Sequence, residues 1–229
     1  MSLHGLLIQL MVFPLNTKVN CAGTTNFIHG VPYVSVSIGF TVAKHPTVGV
    51  VLNPFTSELY TGILSKGSFL TKLSSDLTEP ISKTKLPLYP PQPLDLHSSV
   101  IAIELGYDRS GNNLDVKFST FKTLASQQGG MVHGLRSYGS AALNMCQVAC
   151  GYIDGYWEGG AWEWDVCAGW VILQETGGFV VNGNPEEGYE GDLCGRAYLA
   201  VRSGQTEDES KQWVKDFRNC MGGTLEYHR

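Results

Sequence analysis

The sequence predicts a layered sheet-and-helix protein. Three observations carry this. The first half holds short β-patterned segments at close spacing with turn residues between them. Residues 74–96 are rich in Ser, Thr, Lys and Pro. Beyond them, apolar segments of strand length and helix length alternate. At 229 residues, the chain is long enough for one or two domains with ample core. Hydrophobic residues make up 43% and charged residues 16%, which is too apolar and too weakly charged for disorder. Lys+Arg number 16 against Asp+Glu 21, a net charge of −5, and no basic run occurs. Nucleic acid is therefore not the expected partner.

Residues 33–43 (YVSVSIGFTVA) alternate β-branched or aromatic residues with small polar ones, the pattern of a half-buried strand. Residues 48–52 follow after His45-Pro46, residues 58–63 after Asn53-Pro54, and residues 68–72 after Lys66-Gly67. Together they predict an antiparallel meander. Residues 74–96, with Pro90-Pro91 and Pro93, read as a linker or long surface loop. Residues 99–105 then predict a buried strand. Residues 114–127 predict a helix whose apolar face is Val116, Phe118, Phe121 and Leu124. Further strands are predicted at 135–138, 155–158, 179–181 and 197–201, and helices at 140–150 and 166–176. Residues 206–221 close the chain as an amphipathic helix with Trp213, Val214 and Phe217 inward.

The apolar run at residues 5–13 (GLLIQLMVF) is far short of the ~20 residues a membrane helix needs. It lacks a basic leader and a clean cleavage site, so a short strand fits it better than a signal peptide. The six cysteines have no CxxC spacing; Cys146 and Cys150, four apart on a predicted helix, read as small buried thiols, and a reduced, cytoplasmic protein is expected. His29, His45, His97 and His133 have no metal-ligand spacing.

The chemistry concentrates in a few motifs. In WDVCAGWVILQETGG, Asp165 stands at the mouth of a helix whose small residues Ala168 and Gly169 permit close packing. Alone, such an Asp is an ordinary helix cap worth ~1 kcal/mol. Glu158 lies seven residues upstream in GYWEGG, and RSYGSAA begins further back at Arg136. In order along the chain, these motifs resemble the inositol monophosphatase family. That family's second signature runs Trp-Asp-x-x-Ala-Gly-x-x-(Ile/Leu)-x-x-Glu-x-Gly-Gly. Gly23-Thr24-Thr25-Asn26-Phe27 is similar to the end of its first signature, Asp-Pro-x-Asp-Gly-Thr-Thr-Asn-Phe, and Lys66-Gly67-Ser68-Phe69 to its Lys-Gly-x-Phe turn.

The resemblance covers residues 23 to about 201. It implies a layered α-β-α-β-α sugar-phosphatase fold, with an antiparallel-sheet half at about 23–90 and an α/β half at about 98–229. It also implies Mg²⁺-dependent hydrolysis of a small polyol phosphate. Gly23 and Thr24 would hold phosphate oxygens, with the Thr24 hydroxyl helping to hold the phosphate or the nucleophilic water. Asp165 would be a metal ligand, Glu158 would accept hydrogen bonds from substrate hydroxyls, and Gly139, Ser140 and Ala141 would border the substrate ring. The partner implied is a small molecule, without nucleic acid or membrane, and a homodimer is compatible with the pattern.

The departures bear on activity. Val19 and Ala22 stand where the first signature has aspartates, and residues 1–22 read as a divergent N-terminus. The expectation is an N-terminally truncated member that lacks the family's first helices and their metal-binding Glu. Such a chain would bind metal weakly through Asp165 and turn over slowly. The other class of reading is a non-catalytic relative that binds a ligand or partner.

Overall fold

The computed structural model describes residues 17–185 and 188–227. The short strand expected at 5–13 and the expected absence of N-terminal helices lie outside the described residues. Among the described residues, six antiparallel strands form the first sheet in chain order. They are β1 (Thr17–Ala22), β2 (Ser35–Val42), β3 (His45–Asn53), β4 (Glu58–Ile63), β5 (Gly67–Leu73) and β6 (Pro80–Lys85). The one-turn helix α1 (Thr24–Ile28) interrupts them after β1. The second half supplies β7 (Val100–Ile103), α2 (Asn112–Ala125), β8 (Gly134–Arg136), α3 (Ala141–Cys150) and β9 (Gly155–Gly159). It continues with α4 (Glu163–Gln174), β10 (Phe179–Asn182), β11 (Ala197–Val201) and α5 (Glu207–Asn219). Among the described residues its five strands run in the order β10-β11-β9-β7-β8, with β7 parallel to both β8 and β9.

The predicted class holds. Helices α3 and α4 pack between the two sheets, and α2 and α5 cover the far face of the second. This gives the layers sheet, helices, sheet, helices among the described residues. Trp213, Val214 and Phe217 of α5 are buried as the pattern predicted. Thr206 caps that helix by accepting from the Glu209 N–H, and three acidic residues occupy its first turn, where the helix dipole favours them.

Two expectations need correction. The stretch read as a loop contains strand β6, which pairs with β5 through Phe69↔Lys85 and Thr71↔Lys83. Its residues, Pro80 to Lys85, are all exposed. It is an edge strand, and its Lys- and Pro-rich composition, typical of protected edges, is also the composition of a loop. In α2 the buried positions are Val116, Lys117, Thr120 and Leu124, while Phe118 and Phe121 stay 54% and 44% exposed. The inward stripe follows 116, 120, 124 because Lys117 and Thr120 find hydrogen-bond partners inside. The Lys117 ammonium donates to the Leu105 and Gly159 carbonyls, and the Thr120 hydroxyl to the Val116 carbonyl.

One cross-strand row seats α4. Gly39 pairs with Gly49, and Gly49 with Gly62. A Cβ added at Gly39 would lie 2.6 Å from the Cys167 sulfur, at Gly49 2.3 Å from the Ala168 carbonyl oxygen, and at Gly62 2.9 Å from the Ile172 Cα. Three neighbouring strands thus leave a trough with no side chains, and the helix backbone lies in it. The opposite face of the same strands carries Val36, Ile38, Phe40, Val48, Val50 and Leu52, all half-buried.

Candidate active site

Strands β7, β8 and β9 are parallel, so their carboxyl ends point the same way and their following loops converge, the usual ligand position in α/β sheets. Residues 104–109, 137–141 and 158–165 leave those ends, and residues 22–26 leave the end of β1. All four segments line one open cavity of about 560 Å³. Gly23, Thr24, Gly139, Ser140, Ala141, Glu158 and Asp165, the residues singled out from the sequence, all face it.

Each is positioned by local geometry. Gly23 has φ +90°, and a Cβ there would sit 2.7 Å from the Tyr33 carbonyl oxygen, so this turn into α1 requires glycine. Asn26 joins the two halves of the molecule, its amide donating to the Tyr33 carbonyl at 2.9 Å and to the Tyr138 carbonyl at 2.6 Å. Ser140 caps α3, its hydroxyl facing the Leu143 N–H at 3.5 Å. Asp165 sits in the first turn of α4, not before it. One of its carboxylate oxygens accepts from the Trp162 N–H at 2.8 Å.

Sequence reasoning missed Glu104. This buried carboxylate accepts from the Tyr138 and Gly139 N–H groups, the Asn144 amide and the Ser137 hydroxyl, each at 2.8 Å. It ties the end of β7 to the 137–139 turn and so sets the cavity wall that Gly139 begins. The available signal was an acidic residue directly after the apolar run VIAI. Also missed was the aromatic wall. Trp162 and Trp164 stack at 5.0 Å and 14°, and the Arg196 guanidinium lies 3.8 Å from the Trp162 ring centroid.

Glu158 is half-buried and accepts from the Tyr156 hydroxyl. Loss of water around its carboxyl pushes it up from 4.5 to about 8, against the pull of Tyr156 and Lys117 and with the push of Glu104 and Asp165. A raised carboxyl means that the folded protein keeps a proton the unfolded chain has released. Stability should therefore fall as pH rises from about 4.5 towards 8 and level off above. At about 1.4 kcal/mol for each unit, the loss is of the order of a few kcal/mol. Urea denaturation across this window should show that slope in the parent and a nearly flat profile in Glu158→Gln. Parallel profiles for the two proteins would place the proton elsewhere.

The carboxylates facing the cavity are poor material for a cation cluster. Both Glu104 oxygens are engaged by protein donors, and the signature position before Gly23 holds Ala22. Among the described residues, no three His, Cys, Asp or Glu side chains are grouped to hold a metal ion. A magnesium site of the kind the resemblance implied does not fit the residues present beyond Asp165 itself.

Two sheets with helices between and behind them, and a cavity where the parallel strands end, define the sugar-phosphatase fold. The solved inositol monophosphatase from Anabaena (Nostoc) sp. PCC 7120 superposes with a TM-score of 0.69 at 30% identity, covering 86% of this chain and 72% of that one. The family model described as "Inositol monophosphatase family" matches residues 22–221, and the chain belongs to that family. Inositol monophosphatase 2 of Saccharomyces cerevisiae is 46% identical over 208 residues, 90% of this chain and 67% of that protein. Inositol monophosphatase 1 of the same yeast is 43% identical over 207 residues, 90% and 68% respectively. The chain thus spans about two thirds of the length of both relatives. No helix among the described residues is long and apolar enough to cross a membrane.

Proposed function

We propose that the cavity binds inositol monophosphate or a similar polyol phosphate, and that the chain hydrolyses it slowly. The observation that supports this best is the convergence of four distant segments on one cavity, with the motif residues of each facing inward. In this reading the phosphate lies beside Gly23, Thr24 and Asp165. The ring lies along Gly139, Ser140 and Ala141, with Glu158 facing its hydroxyls. Mg²⁺ is the cation suited to this chemistry, because a hard ion accepts phosphate oxygens and water together with few protein carboxylates. Here Asp165 is the carboxylate we assign to it, and binding through it alone would be weak.

Titration calorimetry with myo-inositol 1-phosphate, with and without Mg²⁺, tests the reading. Saturable binding should weaken about tenfold or more in Glu158→Ala, since a lost polar contact to a bound hydroxyl is worth roughly 1–3 kcal/mol. Failure to bind, or binding indifferent to both Glu158→Ala and Asp165→Ala, would remove the cavity from this role. Ala22 at the signature position favours a second reading, a ligand-binding relative without catalysis. Its mark would be tight binding with no phosphate release at any Mg²⁺ concentration.

A further inference from the structure

The C-terminal segment is clamped against the back of the cavity by side-chain amides acting as strand partners. Asn113 of α2 pairs with both backbone groups of Glu226, accepting from its N–H at 2.7 Å and donating to its carbonyl at 3.0 Å. Asn184 does the same to Leu225, at 2.8 and 3.1 Å, and Asn112 donates to the Thr224 carbonyl at 2.9 Å. A tail that only covered core would need Leu225, which is 3% exposed, and nothing more. Two amides that each satisfy both polar groups of one residue fix its register as a β-ladder would.

That register delivers Tyr227 to the segment following Glu158. A Cβ on Gly159 would meet the Tyr227 ring at 2.5 Å, and one on Gly160 at 3.0 Å, so the ring lies directly on this backbone. Two cations flank the ring, Lys117 and Arg196, each 5.4 Å from its centroid. They are the same cations that hold the segment. Lys117 donates to the Gly159 carbonyl at 2.9 Å, and Arg196 to the Gly160 carbonyl at 2.8 Å while stacking on Trp162. Gly160, Trp162 and Glu158 line the cavity, whereas Tyr227 stands behind them.

We propose that Tyr227 is a positioning residue for the polyol side of the site. Through Lys117 and Arg196 it sets where Glu158, Gly160 and Trp162 meet the substrate ring, and it leaves the phosphate side at Gly23–Thr24 untouched. This rests on reading the cavity as a polyol-phosphate site.

Tyr227→Leu keeps apolar bulk but removes the ring face that the cations flank, and Tyr227→Phe keeps that face. Calorimetry on the full chain with myo-inositol 1-phosphate and with inorganic phosphate should show Tyr227→Leu weakening the former about tenfold and the latter hardly at all, with Tyr227→Phe near the parent. The Trp162 indole N–H resonance should also move in Tyr227→Leu, since Arg196 shifts on that ring. Equal weakening of both ligands, or unchanged binding of both, overturns the proposal. Should the parent bind neither ligand, the substrate reading falls separately and the indole resonance decides: movement supports the positioning role, and an unmoved signal overturns it.

Discussion

Phosphate release from myo-inositol 1-phosphate by this chain should be slow at every Mg²⁺ concentration, and Val19→Asp combined with Ala22→Asp should raise it on the order of 10- to 100-fold. A phosphomonoester is attacked readily only when its charge is met by positive charge fixed in advance. Single preorganised electrostatic contributors of this kind are worth about 10²–10³ in rate. The parent brings Asp165 to the cavity, but Ala22 lines the same wall without an oxygen ligand. Aspartates at positions 19 and 22, where the family's first signature has them, are expected to supply ligands that the described residues lack. The gain should vanish when Asp165→Ala is added, because the new cluster needs that helix-borne carboxylate as its third corner. Robust Mg²⁺-dependent turnover by the parent, lost in Asp165→Ala, would show that the chain needs no further ligand. A double variant no faster than the parent would show that missing charge is not what limits it.

Gly49→Val should be among the most destabilising single changes in the first sheet. A Cβ there comes within 2.3 Å of the Ala168 carbonyl oxygen and 2.6 Å of a Val171 methyl, and the branched side chain adds two further methyls. The backbone carbonyl cannot rotate away as a side chain would, so α4 must lift from the trough formed with Gly39 and Gly62. Overpacking of this kind costs on the order of 3 kcal/mol. That corresponds to a drop in melting temperature of roughly 6–12 °C for a chain of this size. Because α4 carries Asp165, ligand binding should weaken as well. Val50→Thr, one position along on the half-buried outer face, should cost far less. A melting temperature for Gly49→Val within about 2 °C of the parent would show that the trough accommodates bulk and does not set the helix.

Much of the molecule was legible in advance because its signals are local. Alternation over residues 33–43 announces β2 whatever packs on it. The 3.6-residue period of residues 206–221 announces α5 and its buried Trp213, Val214 and Phe217. What misled was also local. Strand β6 carries the polar residues of a protected edge, and α2 buries a lysine that hydropathy places outside. In both cases the deciding partner, Phe69 and Thr71 for the strand and the Gly159 carbonyl for the lysine, is remote in the chain.

The same division runs through the site. By itself the sequence determined the motifs of the candidate site, because Gly23-Thr24, the 139–141 turn, Glu158 and Trp164-Asp165 are short contiguous patterns. It also determined that Val19 and Ala22 bring no carboxylate before Gly23. The resemblance implied that these motifs share one site; tertiary structure alone decided that Glu104 spends both carboxylate oxygens fixing its wall and that burial pushes the Glu158 carboxyl up. It also decided that the C-terminal Tyr227 reaches the back of Gly159 and Gly160. Desolvation and hydrogen-bond satisfaction depend on groups brought together from 30 to more than 100 residues apart, and no local pattern encodes which groups those will be.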